Sequence, residues 1–311
     1  SDTMPVPNQR AKARPSALGG RMKEKLYIVA FLLPSLIIFG VFMVYPVLQN
    51  VELSFYSWNM VSPNKNYVGL ENYLNLFTDA DFAKALGNTG IYVLLLLLMI
   101  FVLPYGVAYI LGQLVKKGSH FYRAVLFFPS LLSFVVAAVI FNWILNPLSG
   151  PLAELLALAD IESPYWFRTP GLVIFALSFI TAWRAFGYNF IVFLGAVVEV
   201  PQEMIEAARL EKASDWTVFW QIILPMTSPT ALFVFIMTIT FGLSYVFTPI
   251  NILTQGGPTQ ASTNIIYLIY QYGFDYFQTG RAAAPAIVTL VICMVLVVIQ
   301  KKLEKMVHYE N

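Results

Sequence analysis

With 311 residues, 58% of them hydrophobic and 12% charged, and a mean hydropathy of +0.69, the chain lies far from the balance of a soluble domain and reads as an integral membrane protein. Its net charge of +2, with basic residues near membrane ends and not in one stripe, excludes a nucleic-acid partner. The single Cys293 sits inside an apolar run; it has no partner for a disulfide or a thiolate metal site and reads as a small apolar helix residue.

An apolar run of about 20 residues crosses about 30 Å of hydrocarbon as a helix, and six such runs follow in order, an all-α arrangement. Residues 1–20, rich in Pro, Ala, Arg and Gly, are expected to be disordered, with Met4 as the native start behind a short scar. The first run, 26–46, follows Arg21, Lys23 and Lys25; it is too long for a signal-peptide core and lacks a small-residue cleavage site, so it reads as a retained helix. From 49 to 87 the chain turns polar, with Phe55, Tyr56, Trp58, Tyr67, Tyr73 and Phe77 among Glu52, Lys65, Glu71, Asp79 and Asp81, as in an extramembrane loop with interfacial aromatics. The second run, 90–115, ends at Lys116-Lys117, and after a short link, 118–123, the third extends over 124–146. So short a link makes them antiparallel neighbours.

Asn146, Pro147, Gly150 and Pro151 break the pattern, and Glu154, Asp160, Glu162 and Arg168 mark a second polar loop. The fourth run, 171–198, holds one charge, Arg184. A charged stretch from Glu199 to Thr230 follows; the fifth run then extends to about residue 250, its start blurred by Pro225, Pro229 and Gly242. After Gly256-Gly257-Pro258 and an aromatic segment, NIIYLIYQYGF, the sixth run spans 282–300. The spanning domain is thus expected over 26–303, between tails at 1–25 and 304–311.

Lys and Arg accumulate at cytoplasmic ends. With both termini inside, fourteen of the nineteen fall there, against Lys65, Lys84, Arg168 and Arg281 outside and Arg184 within a span. That places the charged stretch in the cytoplasm. Its local signals predict a helix from about Pro201 to Lys212: Pro suits a first turn, and Glu203 and Glu206 sit where the positive helix end favours carboxylates. Ser214 can cap a second helix, with Asp215 in its first turn. Met204, Ile205 and Ala208 form an apolar stripe that can enter a partner's cleft while Glu203, Glu206 and Arg209 pair across its rim. A helix resting on anionic headgroups is the competing reading, which five acidic against two basic residues disfavour.

Glu206-Ala207-Ala208, then Ala213, then Ile222 with Leu224-Pro225, resembles the EAA loop of permease subunits of binding-protein-dependent ABC importers. SFYSW with YVGLENYLNLF, and FNWILNPLSG, are similar to the maltose and glycerol-3-phosphate type; WRAFGYNF and LTQGGPTQASTNIIYLIYQYGF look closest to the glycerol-3-phosphate branch. The resemblance implies the six-helix type I importer fold in a bacterial or archaeal plasma membrane, with loop 199–219 docking in an ATPase through Glu203 to Arg209, Lys212 and Ala213. It also implies a second permease subunit, two ATP-binding subunits and an extracytoplasmic binding protein docking near Gly256, Gly257 and Pro258. No cofactor is expected on this chain: it has no G-x-x-x-x-G-K-[ST] loop, so ATP and Mg belong to the partner. Family members have Asp-Gly where this chain has Glu211-Lys212, and since Gly takes φ > 0 at low cost and Lys does not, an altered turn is expected.

An ionisable group within a span points to function. Arg184 can bind sugar hydroxyls or a phosphate, with Tyr188 and Asn189 one turn on; bonding to helix carbonyls is its alternative role. Tyr245 and Asn251 are further pathway candidates. The substrate is read as a carbohydrate, with glycerol-3-phosphate or a related polyol phosphate as the alternative. An ion-coupled secondary transporter needs Asp or Glu in its spans, and the apolar runs hold none. His120 and His308, at membrane ends, show neither metal spacing nor a nucleophile pattern that would suit an enzyme.

Overall fold

The computed structural model describes residues 17–115 and 118–308. The expected disordered tail, as far as residue 16, and Lys116 and Lys117 lie outside the described residues; from Ala17 the backbone is helical. The chain divides into two compact units, Ser1–Glu52 and Leu53–Asn311. The first carries helix α1, which runs from Ala17 to the boundary and includes the apolar span Tyr27–Leu53.

The second unit opens with a two-stranded antiparallel ribbon, β1 (Tyr56–Ser57) against β2 (Asn66–Tyr67). Ten helical segments follow: α2 (Glu71–Thr78), α3 (Ala80–Leu114), α4 (Ser119–Leu131), α5 (Phe134–Ile144), α6 (Pro151–Ala157), α7 (Leu172–Glu199), α8 (Gln202–Leu210), α9 (Asp215–Thr254), α10 (Ile265–Tyr270) and α11 (Thr279–His308). Among the described residues five helices are long and apolar enough to cross a membrane, or six if the bent pair α4 and α5 is one span.

That bend is the main departure from the sequence. The third run is not one continuous helix but breaks by 100° between α4 and α5. Pro129 sits in a 3-10 turn that ends α4, and the Ser133 hydroxyl accepts the Val136 N–H at 3.2 Å, starting α5 afresh. The supposed link before it is helical from Ser119. Similarly, the second span begins well before residue 90, because the Asp79 carboxylate accepts the Asp81 N–H at 3.0 Å and caps α3 inside the stretch read as loop.

Prolines inside the spans are accommodated by a repeated device. Pi-helical turns cover Gly40–Val44, Leu98–Val102 and Phe219–Ile223, each ending two residues before a proline, Pro46, Pro104 and Pro225. In each the N–H just before the proline bonds a carbonyl five residues back, from Tyr45 to Gly40, Leu103 to Leu98 and Leu224 to Phe219. The widened turn relieves the clash of the proline ring with the preceding turn without ending the helix. The fifth span therefore runs through Pro225 and Pro229 unbroken.

Helix α7 forms the centre, with Phe190, Phe193 and Val197 packed on Tyr105, Ile205 and Val218 toward one end, and Val173 and Leu177 packed on Tyr92, Leu96 and Val246 toward the other. Helix α4 approaches it most closely at Gly187, where a Cβ would stand 2.6 Å from Ser130 Oγ and 2.7 Å from the Leu126 carbonyl oxygen. Only glycine fits that crossing.

Candidate functional site

The break after α4 leaves the Leu132 carbonyl without a helical donor, and Arg184 supplies one: its Nε donates to Leu132 O at 2.8 Å. In return Ser130 Oγ donates to the Arg184 carbonyl at 2.9 Å. The guanidinium carbon lies 4.3 Å from the Phe134 ring centre, and Phe134 stacks on Tyr245 at 4.9 Å. Arg184 thus holds the bend together, which is the carbonyl-bonding role open to it from the sequence. Among the described residues no acceptor bonds its terminal nitrogens, and it still lines a cavity of about 380 Å³.

Tyr188, Asn189 and Tyr245 line the same cavity, so four of the five pathway candidates, drawn from two helices, meet in one place. Tyr188 is exposed. Asn189 is fixed by its amide, which donates to the Ile100 carbonyl and to Thr238 Oγ1 at 3.3 Å. Phe233, Met237 and Phe241 complete a largely apolar wall. A concave apolar surface with a few oriented polar groups is the usual form of a small-molecule site. Asn251 is not part of it and lies in the last turn of α9, Ile250–Thr254.

At one end of the bundle, the stretch after α7 folds as the local signals predict, with α8 slightly shorter than expected. Ser214 caps the next helix, its hydroxyl accepting the Thr217 N–H at 3.2 Å. The turn between the two helices is not altered: Lys212 itself takes φ +62. Lys212 N donates to Arg209 O at 3.0 Å and Ala213 N to Ala208 O at 3.0 Å, which is the paired bonding of a Schellman motif. The apolar stripe, in contrast, needs correction. Ile205 is fully buried in the core with Val197 and Val218, and Ala208 and Ala213 pack against that core. Ile205 anchors the helix and presents nothing outward, while Ala208 and Ala213 are half-buried against the same core. The outward face carries Glu203, Met204, Glu206, Ala207 and Arg209, with Leu210 85% and Trp216 71% exposed. Leu210 and Trp216 escaped the sequence reading, although Leu210 continues the three-residue spacing of Met204 and Ala207. Arg209 lies 3.6 Å from Asp215, both exposed, a pair that contributes little.

At the other end, the Gly256-Gly257-Pro258 segment opens a loop, 255–264, built on left-handed residues. Gly256 has φ +84 and is buried; a Cβ there would meet Thr263 Oγ1 at 2.5 Å, so its role is conformational and it offers no docking surface. Gly257 and Pro258 are half-buried and border a second cavity of about 470 Å³ with Trp166 and Arg168. The exposed tip is Thr259. Side chains of α3 hold this loop: Asn88 Nδ2 donates to the Gln260 and Thr263 carbonyls at 3.0 Å each, and the Tyr92 hydroxyl donates to Ser262 O at 2.9 Å. Neither residue stood out in the sequence: Asn88 falls in the short Gly-Asn-Thr-Gly stretch that leads into the second run, and Tyr92 sits inside that run.

Nearby, Asp79 accepts from Tyr272 at 2.5 Å and pairs with Arg281 at 2.7 Å. Burial alone would raise the Asp79 pKa, but these bonds and the guanidinium charge hold it below the ordinary carboxylate value.

A bundle of spanning helices around a largely apolar cavity with a few oriented polar groups, with a charged two-helix loop at one end, has the form of a membrane permease. The chain belongs to the family described as binding-protein-dependent transport system inner membrane component, whose model matches residues 105–309. It is 33% identical over 91% of its length, and 97% of the relative's, to the probable ABC transporter permease protein YurN of Bacillus subtilis. It is 34% identical over 92% of its length, and 97% of the relative's, to the multiple sugar-binding transport system permease protein MsmF of Streptococcus mutans. The sn-glycerol-3-phosphate transport system permease protein UgpA of Escherichia coli is 30% identical over 89% of this chain and 94% of its own. The fold matches a chain of a bacterial ABC transporter that imports the acidic polysaccharide alginate, with a TM-score of 0.80 at 23% identity over 93% of this chain and 98% of that one. The chain is therefore a permease subunit of a binding-protein-dependent ABC importer, a transport subunit and not an enzyme. The ion-coupled transporter reading falls away.

Proposed function

We propose that the chain forms half of the translocation pathway for a carbohydrate and works by alternating access, with the Arg184 cavity as the place where substrate passes. Both termini and loop 199–219 face the cytoplasm, loop 255–264 faces the opposite side, and a second permease subunit supplies the other half. Two ATP-binding subunits, carrying ATP and Mg, engage the outward face of α8, and an extracytoplasmic binding protein delivers the substrate.

The observation that carries the reading is the convergence of Arg184, Tyr188, Asn189 and Tyr245 on one cavity. Hydroxyls and an amide suit sugar hydroxyls, and aromatic faces suit the apolar face of a sugar ring. Relatives named for multiple sugars and for alginate transport support it. A polyol phosphate is the second reading, favoured by the unengaged terminal nitrogens of Arg184 and by the UgpA relative. The test is ATP hydrolysis by the reconstituted complex with its binding protein, across oligosaccharides and glycerol-3-phosphate. Stimulation by an oligosaccharide supports the carbohydrate reading; stimulation by glycerol-3-phosphate alone replaces it with the second, and no association with any ATPase overturns both.

A further inference from the structure

Helix α3 carries polar clamps at both ends, one holding loop 255–264 and the other the two ends of the charged loop between α7 and α9. Toward its start, Lys84, Asn88 and Tyr92 recur every four residues along one face, and all three donate to carbonyls of loop 255–264, Lys84 Nζ reaching Thr259 O at 2.5 Å. Toward its end, Tyr109 and Gln113 are again four apart. The Tyr109 hydroxyl donates to Asp215 O at 2.9 Å, and Gln113 Nε2 donates to Val197 O at 2.9 Å. The loop between α7 and α9 is thus gripped at its entry and at its exit by one helix.

The Gln113 bond has a specific cause. In a continued helix the Val197 carbonyl would receive the N–H of residue 201, but that residue is Pro201 and has none. Gln113, 8% exposed in an apolar core, provides the missing donor, and an amide buried there without that carbonyl would be costly. The seventeen residue steps from Tyr92 to Tyr109 span about 25 Å at helical rise. Midway, the Ile100 carbonyl accepts from Asn189 beside the cavity, inside the pi-helical turn Leu98–Val102. Below that turn, Tyr105 stacks on Phe193 at 4.4 Å and its hydroxyl bonds Thr227, which locks the lower half of α3 to α7 and α9.

We infer that α3 is the element through which movement of loop 199–219 reaches loop 255–264. Tyr109 and Gln113 act as positioning residues at one end, and Asn88 and Tyr92 at the other. The inference rests on the proposal that an ATPase engages loop 199–219. Rigid helix and polar clamp together form a continuous physical path, and a response at one end that depends on bonds at the other is its evidence.

Amide hydrogen exchange on the complex purified with its ATPase subunits, with and without ATP and vanadate, tests it without a known transport substrate. In the wild type, nucleotide changes exchange in both loops. In the Tyr109→Phe, Gln113→Met double variant, which removes only the two donors, loop 199–219 still responds, while the response of loop 255–264 falls by about fivefold or more, the weight of at least one of the two lost hydrogen bonds in an opening equilibrium. A purely structural role would raise exchange in both loops without nucleotide and leave the nucleotide response of loop 255–264 in place; that result overturns the inference, as does a wild type whose loop 255–264 ignores nucleotide. A wild type whose loop 199–219 is itself silent overturns the docking proposal first, and this inference with it. Should the double variant fail to assemble, Asn88→Leu together with Tyr92→Phe removes both positioning residues at the other end, and an undiminished response there is equally fatal.

Discussion

The loop after α7 and the Arg184 cavity are built on opposite principles. The internal turns and caps of the loop are set by neighbours in sequence, Glu203 in a first turn, Ser214 as a cap, a Schellman turn at Lys212, all within about one dozen residues of one another, and only its two ends are held from a distance, by α3. The cavity is organised by residues 50 to 90 positions apart, such as Leu132 with Arg184 (52) and Ile100 with Asn189 (89). A site of the first kind tolerates a change in one residue by local adjustment. A site of the second kind depends on single bonds between helices.

The largest effect is therefore expected at Arg184. Arg184→Leu leaves the Leu132 carbonyl without its donor at the 100° bend, a loss of about 1–3 kcal/mol that thermal unfolding of the purified chain reads directly. Arg184→Lys keeps a charge but loses the planar group that lies over Phe134, so it restores only part of that loss. If Arg184→Leu melts like the wild type, the bend is set by Pro129 and Ser133 alone and the contrast between the two regions weakens.

Asp79 sharpens the contrast from outside both regions, since it joins the start of α3 to Tyr272 and Arg281 across about 200 positions of chain. Its folded pKa is lowered below the ordinary 3.8, so the bridge contributes in full above that value and is lost as pH falls through the lower folded value. Stability measured against pH should stay level through mild acid and decline only below the ordinary carboxylate range, and Asp79→Asn should flatten that final decline. A decline that begins near neutrality contradicts the lowered pKa.

The smallest effect belongs to the local region. Lys212 occupies the left-handed conformation that glycine takes more easily, so Lys212→Gly should stabilise the turn by about 0.5 kcal/mol, the left-handed cost relieved less the entropy of glycine. The readout is slower amide exchange in 208–214. A larger gain, or a loss, would mean that the lysine side chain has a task of its own.

The same division explains what could be read from the chain. The six apolar runs, the two-helix loop and its caps are local patterns, and they were legible. Arg184 was legible as an ionisable group in a span, and its neighbours Tyr188 and Asn189 followed from helical spacing; Tyr245 joins them through Phe134, a contact no spacing announces. The 100° break was missed although Pro129 and Ser133 stand inside 124–146, because an uncharged run of spanning length reads as one helix by hydropathy and periodicity alone. Ile205 was assigned outward since a stripe on an amphipathic helix has no label saying whose core it enters; tertiary packing against Val197 and Val218 decided it. Asn88, Tyr92 and Gln113 were invisible for a related reason: a polar residue in a span signals something, but its carbonyl partner lies 84 to 175 residues away.

The central claim is that the outward face of α8, and not its buried stripe, engages an ATPase. Single cysteines placed at Met204, Ile205 and Leu210 in a Cys293→Ser background, each carrying a short thiol-linked photo-crosslinker that inserts into any neighbouring chain, test it most directly. The account predicts that the ATPase subunit is captured from positions 204 and 210 and not from 205, whose side chain points into the core. Capture from 205 alone, or from none of the three in a complex that still hydrolyses ATP, would contradict it.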